Sequence, residues 1–298
     1  MGADGIALLN LTLALRLGRI SNLPTVWTNV LVGALLAGGQ LADPRLPLVM
    51  LALSLFYVGG MFLNDAFDRE FDATHRPERP IPSGQVSAQQ VFVIGFGLLA
   101  LGLAGVIAAS RTPEGLPAWR APLAGVALAA AIVVYDAYHK DNPLSPLVMG
   151  LCRVLVVVTA AFCMTEALPT PVLLAAIALL CHLIGLTYIA KQEHLDRIGS
   201  LWPLGFLAVP VLYGGALALA APMAWLPLAL YVGLLLFALN LLRRRARGDV
   251  PRAVVTLIAG MSVLDGVMLA GAGMLVPAAL AIVAFVLTLA LQRWVAGT

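Results

Sequence analysis

Ten long apolar segments set the limits on what this chain can fold into. Each is close to the roughly 20 residues that a helix needs to cross the hydrocarbon core of a bilayer. The segments lie near residues 20–40, 46–65, 89–110, 120–138, 143–165, 169–190, 201–220, 223–242, 253–272 and 275–293. Only 11% of the 298 residues are charged, against about 25% in an ordinary soluble domain. We therefore predict an all-α fold, a polytopic membrane helix bundle that forms a single domain over residues 1–298.

The basic residues indicate how the bundle is oriented. If the N-terminus is cytoplasmic, fourteen basic residues fall on the cytoplasmic side, three fall on the other side, and Arg153 lies within a span. Cytoplasmic loops of membrane proteins carry the excess of Lys and Arg. We therefore predict that the N-terminus lies on the cytoplasmic side, together with the acidic and basic clusters described next.

An unusually acidic stretch follows the second apolar segment. Five of the fifteen carboxylates of the chain occur between residues 64 and 84, directly after the uncharged segment 46–63. If the helix continues past Leu63, Asn64, Asp68 and Asp72 share one face at intervals of four residues. Like charges on one face repel each other, and a divalent cation among them relieves the repulsion. Mg²⁺ is the natural candidate, because it takes few protein oxygens and completes its shell with water and phosphate oxygens.

Further polar clusters are predicted on the same side of the membrane. Tyr135 to Asp141 follows the fourth segment, and Tyr188 to Arg197 follows the sixth. Carboxylates of Glu193 and Asp196 could face those of the first cluster. The surrounding cations are Lys140, Lys191, Arg76 and Arg79. Opposed carboxylates that hold Mg²⁺ inside a ring of cations would form a receptor for a diphosphate.

The first cluster resembles that of the UbiA-type intramembrane prenyltransferases. The family pattern Asn-Asp-x-x-Asp-x-x-x-Asp is matched position for position by Asn64, Asp65, Asp68 and Asp72. The stretch that follows, residues 76–84, is similar to the Arg- and Pro-rich cytoplasmic loop of the family.

Three further stretches resemble the same family. The second motif, Tyr-x-x-x-Asp-x-x-x-Asp, is matched by Tyr188, Gln192 and Asp196, with Gln192 in place of the first aspartate. Glu193 could restore the missing charge, and it stays open whether one or two Mg²⁺ ions are held. Tyr135 and Lys140 resemble a Tyr-x-x-x-Lys segment with one extra residue, and Asn22 resembles an asparagine that lines the cavity in the first helix.

The resemblance implies a fold and an activity. The fold would have about nine transmembrane helices around a central cavity open to the cytoplasmic side. The activity would be Mg²⁺-dependent transfer of a prenyl group from a prenyl diphosphate to an aromatic or other lipophilic acceptor. Asn64, Asp68, Asp72 and Asp196 would hold the metal, and Lys140 and Lys191 would act with them in catalysis. Substrate-binding residues would be Asn22, Arg76, Arg79, Tyr135, Tyr188, Gln192 and Glu193. We expect membrane lipid around the bundle and no nucleic-acid partner.

Other interpretations stay open at the level of sequence. The acids could form the ion site of a secondary transporter, although such sites tend to lie near the bilayer midplane and these acids lie at helix ends. A transferase that uses a nucleotide-activated alcohol is a second alternative, but its usual signature is absent from the sequence. Lys191 to Asp196 could also be a topogenic loop with local ion pairs.

A few polar residues fall inside apolar segments. We expect His182 to make a hydrogen bond between helices. Arg153 and Asp265 are candidate functional groups, because ionisable residues inside a membrane are rare and costly. They could pair with each other, or each could face the cavity.

Overall fold

The computed structural model confirms an all-helical bundle. It describes residues 10–110, 118–140, 142–191 and 202–295, without the side chain of Lys191, and these residues contain no β-strand. The helices are α1 (Leu11–Leu17), α2 (Leu23–Leu36), α3 (Leu46–Phe67), α4 (Arg69–His75), α5 (Ala88–Ala109), α6 (Arg120–Tyr138), α7 (Ser145–Phe162), α8 (Thr170–Lys191), α9 (Ala208–Ala220), α10 (Trp225–Arg244), α11 (Asp249–Gly271) and α12 (Leu275–Leu291). Short 3₁₀ segments at Ile20–Asn22, Trp202–Leu207 and Pro222–Ala224 lead into α2, α9 and α10.

Each of the ten predicted segments contains an apolar helix. Among the described residues, eight helices are long and apolar enough to cross a membrane. Two shorter ones, Ile20–Leu36 and Leu275–Leu291, account for the remaining segments. The expected number of about nine spans lies between the eight long helices alone and the ten helices obtained when the two shorter ones are included. The prediction of a polytopic membrane bundle is confirmed.

Helix starts follow from local sequence. Proline occupies the first turn of α2, α3 and α7, where its missing N–H costs no hydrogen bond. Ser87 begins α5 with a capping box, in which its side chain accepts from the Gln90 N–H and Gln90 reaches back to the Ser87 N–H. These signals place the helix ends, and therefore the polar loops between them, at the two faces of the bundle.

Two helices form the interior of the bundle. In the apolar stretch of α11, 89% of the residues are buried. Helix α2 is buried along nearly its whole length. Outer helices instead expose large apolar side chains, such as Val93, Phe96 and Leu101 of α5. That surface suits contact with lipid, since an apolar side chain in hydrocarbon has no need of burial in protein.

The imidazole of His182 pairs with groups on two neighbouring helices. His182 of α8 accepts a hydrogen bond at Nδ1 from the Tyr231 hydroxyl (2.8 Å) and donates from Nε2 to the carbonyl of Leu257 (3.0 Å). This assignment of donors follows because a backbone carbonyl can only accept. The expectation of a hydrogen bond between helices at His182 is confirmed, and it joins α8, α10 and α11.

Close helix contact depends on glycine at Gly33. A Cβ added there would lie 2.2 Å from the Val157 carbonyl oxygen and 3.0 Å from Ala160 Cβ, so α2 and α7 touch backbone to backbone. Small residues permit such approach in membrane bundles.

We predict that Gly33→Ala lowers the thermal stability of the detergent-solubilised protein. Overpacking should cost about 1–3 kcal/mol, because a backbone carbonyl cannot yield as a side chain can. Gly97→Ala is the matched control, since nothing lies within 4 Å of the added Cβ and alanine favours helix. The measurement is the melting temperature from fluorescence-detected size-exclusion chromatography. Equal melting temperatures for the two variants would contradict the packing argument.

Candidate active site

A cavity of about 380 Å³ opens at the end of α3. Its walls inside the bundle are mainly apolar, with side chains such as Phe56, Leu128 and Val156. Polar side chains gather at the mouth, where α3, α4, α6 and the 3₁₀ segment before α2 meet. The lining there includes Arg19, Asn22, Asn64, Asp68, Arg76, Arg79, Tyr135, Asp136 and His139.

The predicted acidic stripe forms across the junction of α3 and α4. Helix α3 ends at Phe67 and α4 begins at Arg69, with Asp68 as the cap between them. The Asp68 N–H nevertheless donates to the Asn64 carbonyl (2.9 Å), and the Asp72 N–H donates to the Asp68 carbonyl (2.8 Å). Spacing of four residues is therefore kept, and the side chains of Asn64, Asp68 and Asp72 are all buried.

Asp65 binds two arginines from different parts of the chain. Its Oδ1 lies 3.0 Å from Arg19 Nη2 and 3.1 Å from Arg79 Nη1. Arg79 Nη1 also lies 3.1 Å from Asp72 Oδ2. Burial raises the pKa of Asp72, and the positive charge of Arg79 acts in the opposite direction. These contacts fasten the loop after α4 over the cavity mouth.

Asp68 pairs with the end of α6. Its Oδ1 lies 3.0 Å from Lys140 Nζ, and its Oδ2 lies 3.7 Å from His139 Nε2. The Lys140 ammonium also sits 3.5 Å from the centre of the Phe71 ring, a favourable position over an aromatic face. Lys140 thus lies beside the first motif through its contact with Asp68 but is not in the cavity lining, and its role stays a prediction.

Asn64 is held in one orientation by charged neighbours. Its Nδ2 donates to Asp136 Oδ1 (3.2 Å), and its Oδ1 accepts from Arg19 Nη2 (3.4 Å). Asp136 is buried and faces the cavity, and its Oδ2 has no hydrogen-bond partner among the described residues. Asp136 was missing from the predicted site. Its position next to Tyr135, in a stretch already singled out, was the signal that could have found it.

Four of the predicted substrate-binding residues line the cavity, and Tyr188 does not. Asn22, Arg76, Arg79 and Tyr135 line the cavity. Tyr188 is partly buried on α8 and is not in the cavity lining, which that helix supplies through residues such as Thr187 and Ala190.

Four predicted residues are outside the described part of the chain. They are the side chain of Lys191, Gln192, Glu193 and Asp196. Their assignments stay predictions.

Deeper in the bundle, Arg153 and Asp265 are joined through Asn29. Arg153 Nη1 donates to Asn29 Oδ1 (3.3 Å), and Asn29 Nδ2 donates to Asp265 Oδ2 (2.7 Å). Arg153 also lines the cavity. The two charges do not pair directly but share Asn29 as a partner. Of the two, Arg153 also faces the cavity.

Comparison with known proteins identifies the family. The sequence model of the UbiA prenyltransferase family matches residues 26–254. The chain belongs to this family. A relative named digeranylgeranylglyceryl phosphate synthase, from Methanopyrus kandleri, is 30% identical over 209 residues, which are 69% of this chain and 71% of the relative.

Solved structures share the fold of this UbiA-family chain. A UbiA homologue from Aeropyrum pernix K1 superposes with a TM-score of 0.65 at 20% identity, over 87% of this chain and 97% of that one. A UbiA homologue from Archaeoglobus fulgidus, bound to DMAPP and Mg²⁺, gives 0.51 at 16% identity, over 94% and 99%. The predicted fold and the predicted enzyme class, a prenyltransferase, are confirmed. The transporter alternative finds no support.

The oxygen donors at the mouth suit Mg²⁺ in type but are arranged as ion pairs. Among the described residues, no three His, Cys, Asp or Glu side chains lie close enough together to hold a metal ion. Asp65, Asp68 and Asp72 each contact a cationic side chain instead. A metal site here therefore requires that some of these contacts open, or that oxygens come from the substrate.

We predict that Asp65→Asn destabilises the enzyme, because Arg19 and Arg79 would lose the carboxylate that compensates both charges. A hydrogen bond to a charged group contributes about 1.5–3 kcal/mol, so the melting temperature should fall clearly. Glu70→Gln is the matched control, because the Glu70 side chain is 84% exposed in its pair with Arg69 and exposed pairs contribute little. A similar melting temperature for Asp65→Asn and the control would show that the shared carboxylate does not hold the mouth together.

Proposed function

We propose that this UbiA-family enzyme transfers a prenyl group from an allylic prenyl diphosphate to a lipophilic acceptor inside the membrane, with Mg²⁺. The observation that carries the proposal is the contrast between the two parts of one cavity. Carboxylates and cations gather at its mouth, and its interior is mainly apolar. A prenyl diphosphate also has a charged part, the diphosphate, and an apolar part, the hydrocarbon tail.

Cationic side chains at the mouth would bind the diphosphate. Arg76 and Arg79 line the cavity, and Lys140 lies 3.0 Å from Asp68. Arginine can bind phosphate oxygens through two N–H groups at once, whereas lysine acts as a point charge. Together they would stabilise the negative charge that builds up on the departing diphosphate, which lowers the barrier to cleavage. Lys191 of the predicted second cluster would add to this charge.

Mg²⁺ would be held by the stripe of Asn64, Asp68 and Asp72, with Asp196 as the predicted ligand from the other cluster. When bound, the metal supplies Lewis-acid stabilisation of phosphate oxygens. The relative from Archaeoglobus fulgidus was solved with DMAPP and Mg²⁺, which supports this pairing of donor and metal. Asp136 accepts from Asn64 Nδ2, so the Asn64 oxygen is turned away from α6. That oxygen accepts one hydrogen bond from Arg19 Nη2, and its second lone pair would be available to a ligand.

The apolar interior would hold the prenyl tail and exclude water from the allylic cation. Exclusion of water prevents hydrolysis of a reactive intermediate. Tyr135 lies at the boundary between the mouth and this interior, stacked on His139 with ring centres 4.9 Å apart. The acceptor would approach the reacting carbon at this boundary.

The name of the relative suggests the first substrates to try. A synthase of digeranylgeranylglyceryl phosphate forms a glyceryl phosphate with two geranylgeranyl chains, so the acceptor for the second transfer would be a glyceryl phosphate that carries one such chain. We include that acceptor class beside aromatic acceptors. The proposed arrangement is one domain with its mouth on the cytoplasmic side.

We predict that purified enzyme converts a radiolabelled prenyl diphosphate into a prenylated product only with Mg²⁺. Donors of several chain lengths would be supplied with a membrane extract as the acceptor source. Asp68→Asn and Asp72→Asn should each lower product formation at least about 100-fold, the usual effect of losing one group that stabilises transition-state charge. Glu70→Gln, an exposed carboxylate between them, should retain activity.

Two results would overturn the proposal. One is product formation that is unchanged when Mg²⁺ is left out and when Asp68 is replaced by Asn. The other is the absence of diphosphate release from every donor by protein with a normal melting temperature.

We predict that the mouth faces the cytoplasm, because the basic residues collect on that side. In a variant without native cysteines, Glu78→Cys reports the mouth and Glu166→Cys reports the opposite face; both positions are exposed. A membrane-impermeant thiol reagent should label Glu78→Cys only in inverted vesicles and Glu166→Cys only in right-side-out vesicles. The opposite labelling pattern would reverse the assigned orientation.

A further inference from the structure

We propose that Arg153 forms a second anion-binding site, at the inner end of the cavity, that recognises a carboxylate or phosphate group of the acceptor. This proposal rests on the proposed transferase function, because the site is assigned to the acceptor of that reaction. The site is separate from the diphosphate-binding residues at the mouth.

Arg153 is a cation placed against a mainly apolar cavity wall. The residue is 9% exposed, and its guanidinium carbon lies 5.2 Å from the centre of the Tyr57 ring. Val156 and Met261 line the same cavity. A buried arginine inside a membrane protein is costly unless its charge is compensated. The positive charge of Arg153 therefore needs a compensating partner.

Asp265 supplies compensation without contacting the guanidinium. No oxygen of Asp265 lies within 4.0 Å of Arg153 in the described structure, because Asn29 is inserted between them through hydrogen bonds of 3.3 and 2.7 Å. In an ordinary structural ion pair, the carboxylate would occupy the guanidinium fork directly. Here Asn29 takes a single Nη1 contact. The other N–H groups of Arg153 therefore stay available to a ligand in the cavity.

The depth of Arg153 limits the shape of the acceptor. Tyr57 precedes Asn64 by seven residues on α3, which corresponds to about 10 Å along a helix. Arg153, beside Tyr57, thus lies about 10 Å deeper in the bundle than the proposed diphosphate site. An acceptor anchored there must place its nucleophile within about 10 Å of its oxyanion. An aromatic carboxylate and a glyceryl phosphate both meet this condition.

The test uses Cys152, which lines the cavity next to Arg153. With Cys163 and Cys181 replaced by alanine, the rate of N-ethylmaleimide labelling reports occupancy of the inner cavity, without any need for catalysis. Two matched probe pairs are compared: 4-hydroxybenzoate with 4-hydroxybenzamide, and lysophosphatidate with monoacylglycerol. Each pair differs in whether the probe carries an oxyanion.

We expect one oxyanion probe to protect Cys152 at about tenfold lower concentration than its neutral partner, the effect of one hydrogen bond to a charged group. Arg153→Gln should remove the preference, and Arg153→Lys should weaken it. Arg120→Gln, at the first residue of α6 and remote from the mouth, should leave the preference unchanged. The pair that shows the preference identifies the oxyanion as carboxylate or phosphate.

Equal protection by both members of both pairs would overturn the proposal, even if the Arg153 variants do not fold. So would a preference that survives in a folded Arg153→Gln variant. The labelling assay needs no donor, so a protein that shows the preference but releases no diphosphate would contradict the transferase proposal alone. Product formation without any oxyanion preference would contradict only the anion site.

Discussion

The arrangement of the mouth depends on one carboxylate, that of Asp65, shared by Arg19 and Arg79. Arg19 precedes α2, Asp65 lies in the last turn of α3, and Arg79 belongs to the loop after α4. Three segments distant in sequence are therefore brought to one point. Arg19 adopts a left-handed backbone conformation there, with φ of 42°, and its carbonyl accepts a hydrogen bond from the Tyr57 hydroxyl (3.3 Å). The strained backbone is held because both its side chain and its carbonyl are engaged.

Charge in this molecule is placed according to depth. At the mouth, acids and cations pair directly, and solvent and substrate can compete for them. Within the bundle, the charges of Arg153 and Asp265 are separated by an amide, and His182 makes neutral hydrogen bonds. A membrane interior offers no water to replace a lost partner. The contacts that join Arg153, Asn29 and Asp265 therefore have no water to replace them, whereas the ion pairs at the mouth can exchange a partner for water or a ligand.

Much of the fold could be predicted from the sequence because the bilayer reduces it to a problem of length and hydropathy. All ten apolar segments contain helices, and the prolines and Ser87 mark several of their first turns. Spacing along a single helix also predicted the stripe of Asn64, Asp68 and Asp72. The interruption at Asp68 was not predicted, although the backbone hydrogen bonds across it preserve the spacing.

Contacts between distant segments were harder to predict. Nothing in the local pattern says that Asp65 binds both Arg19 and Arg79, or that Asp136 supports Asn64. The same is true of Asn29, which separates Arg153 from Asp265. These contacts depend on how the helices pack, which the local pattern of the sequence does not specify.

Helix α12 contacts the part of the site that comes earliest in the sequence. Gln292, directly after α12, donates from Nε2 to Asn22 Oδ1 (2.7 Å), and α12 packs against α2. Residues 270 positions apart in the sequence thus meet at the cavity. Since a membrane protein is synthesised and inserted from its N-terminus, Asn22 enters the bilayer long before Gln292 exists. The cavity wall around Asn22 is therefore completed only when α12 inserts, and a ribosome-bound chain that still lacks α12 also lacks this hydrogen bond to Asn22.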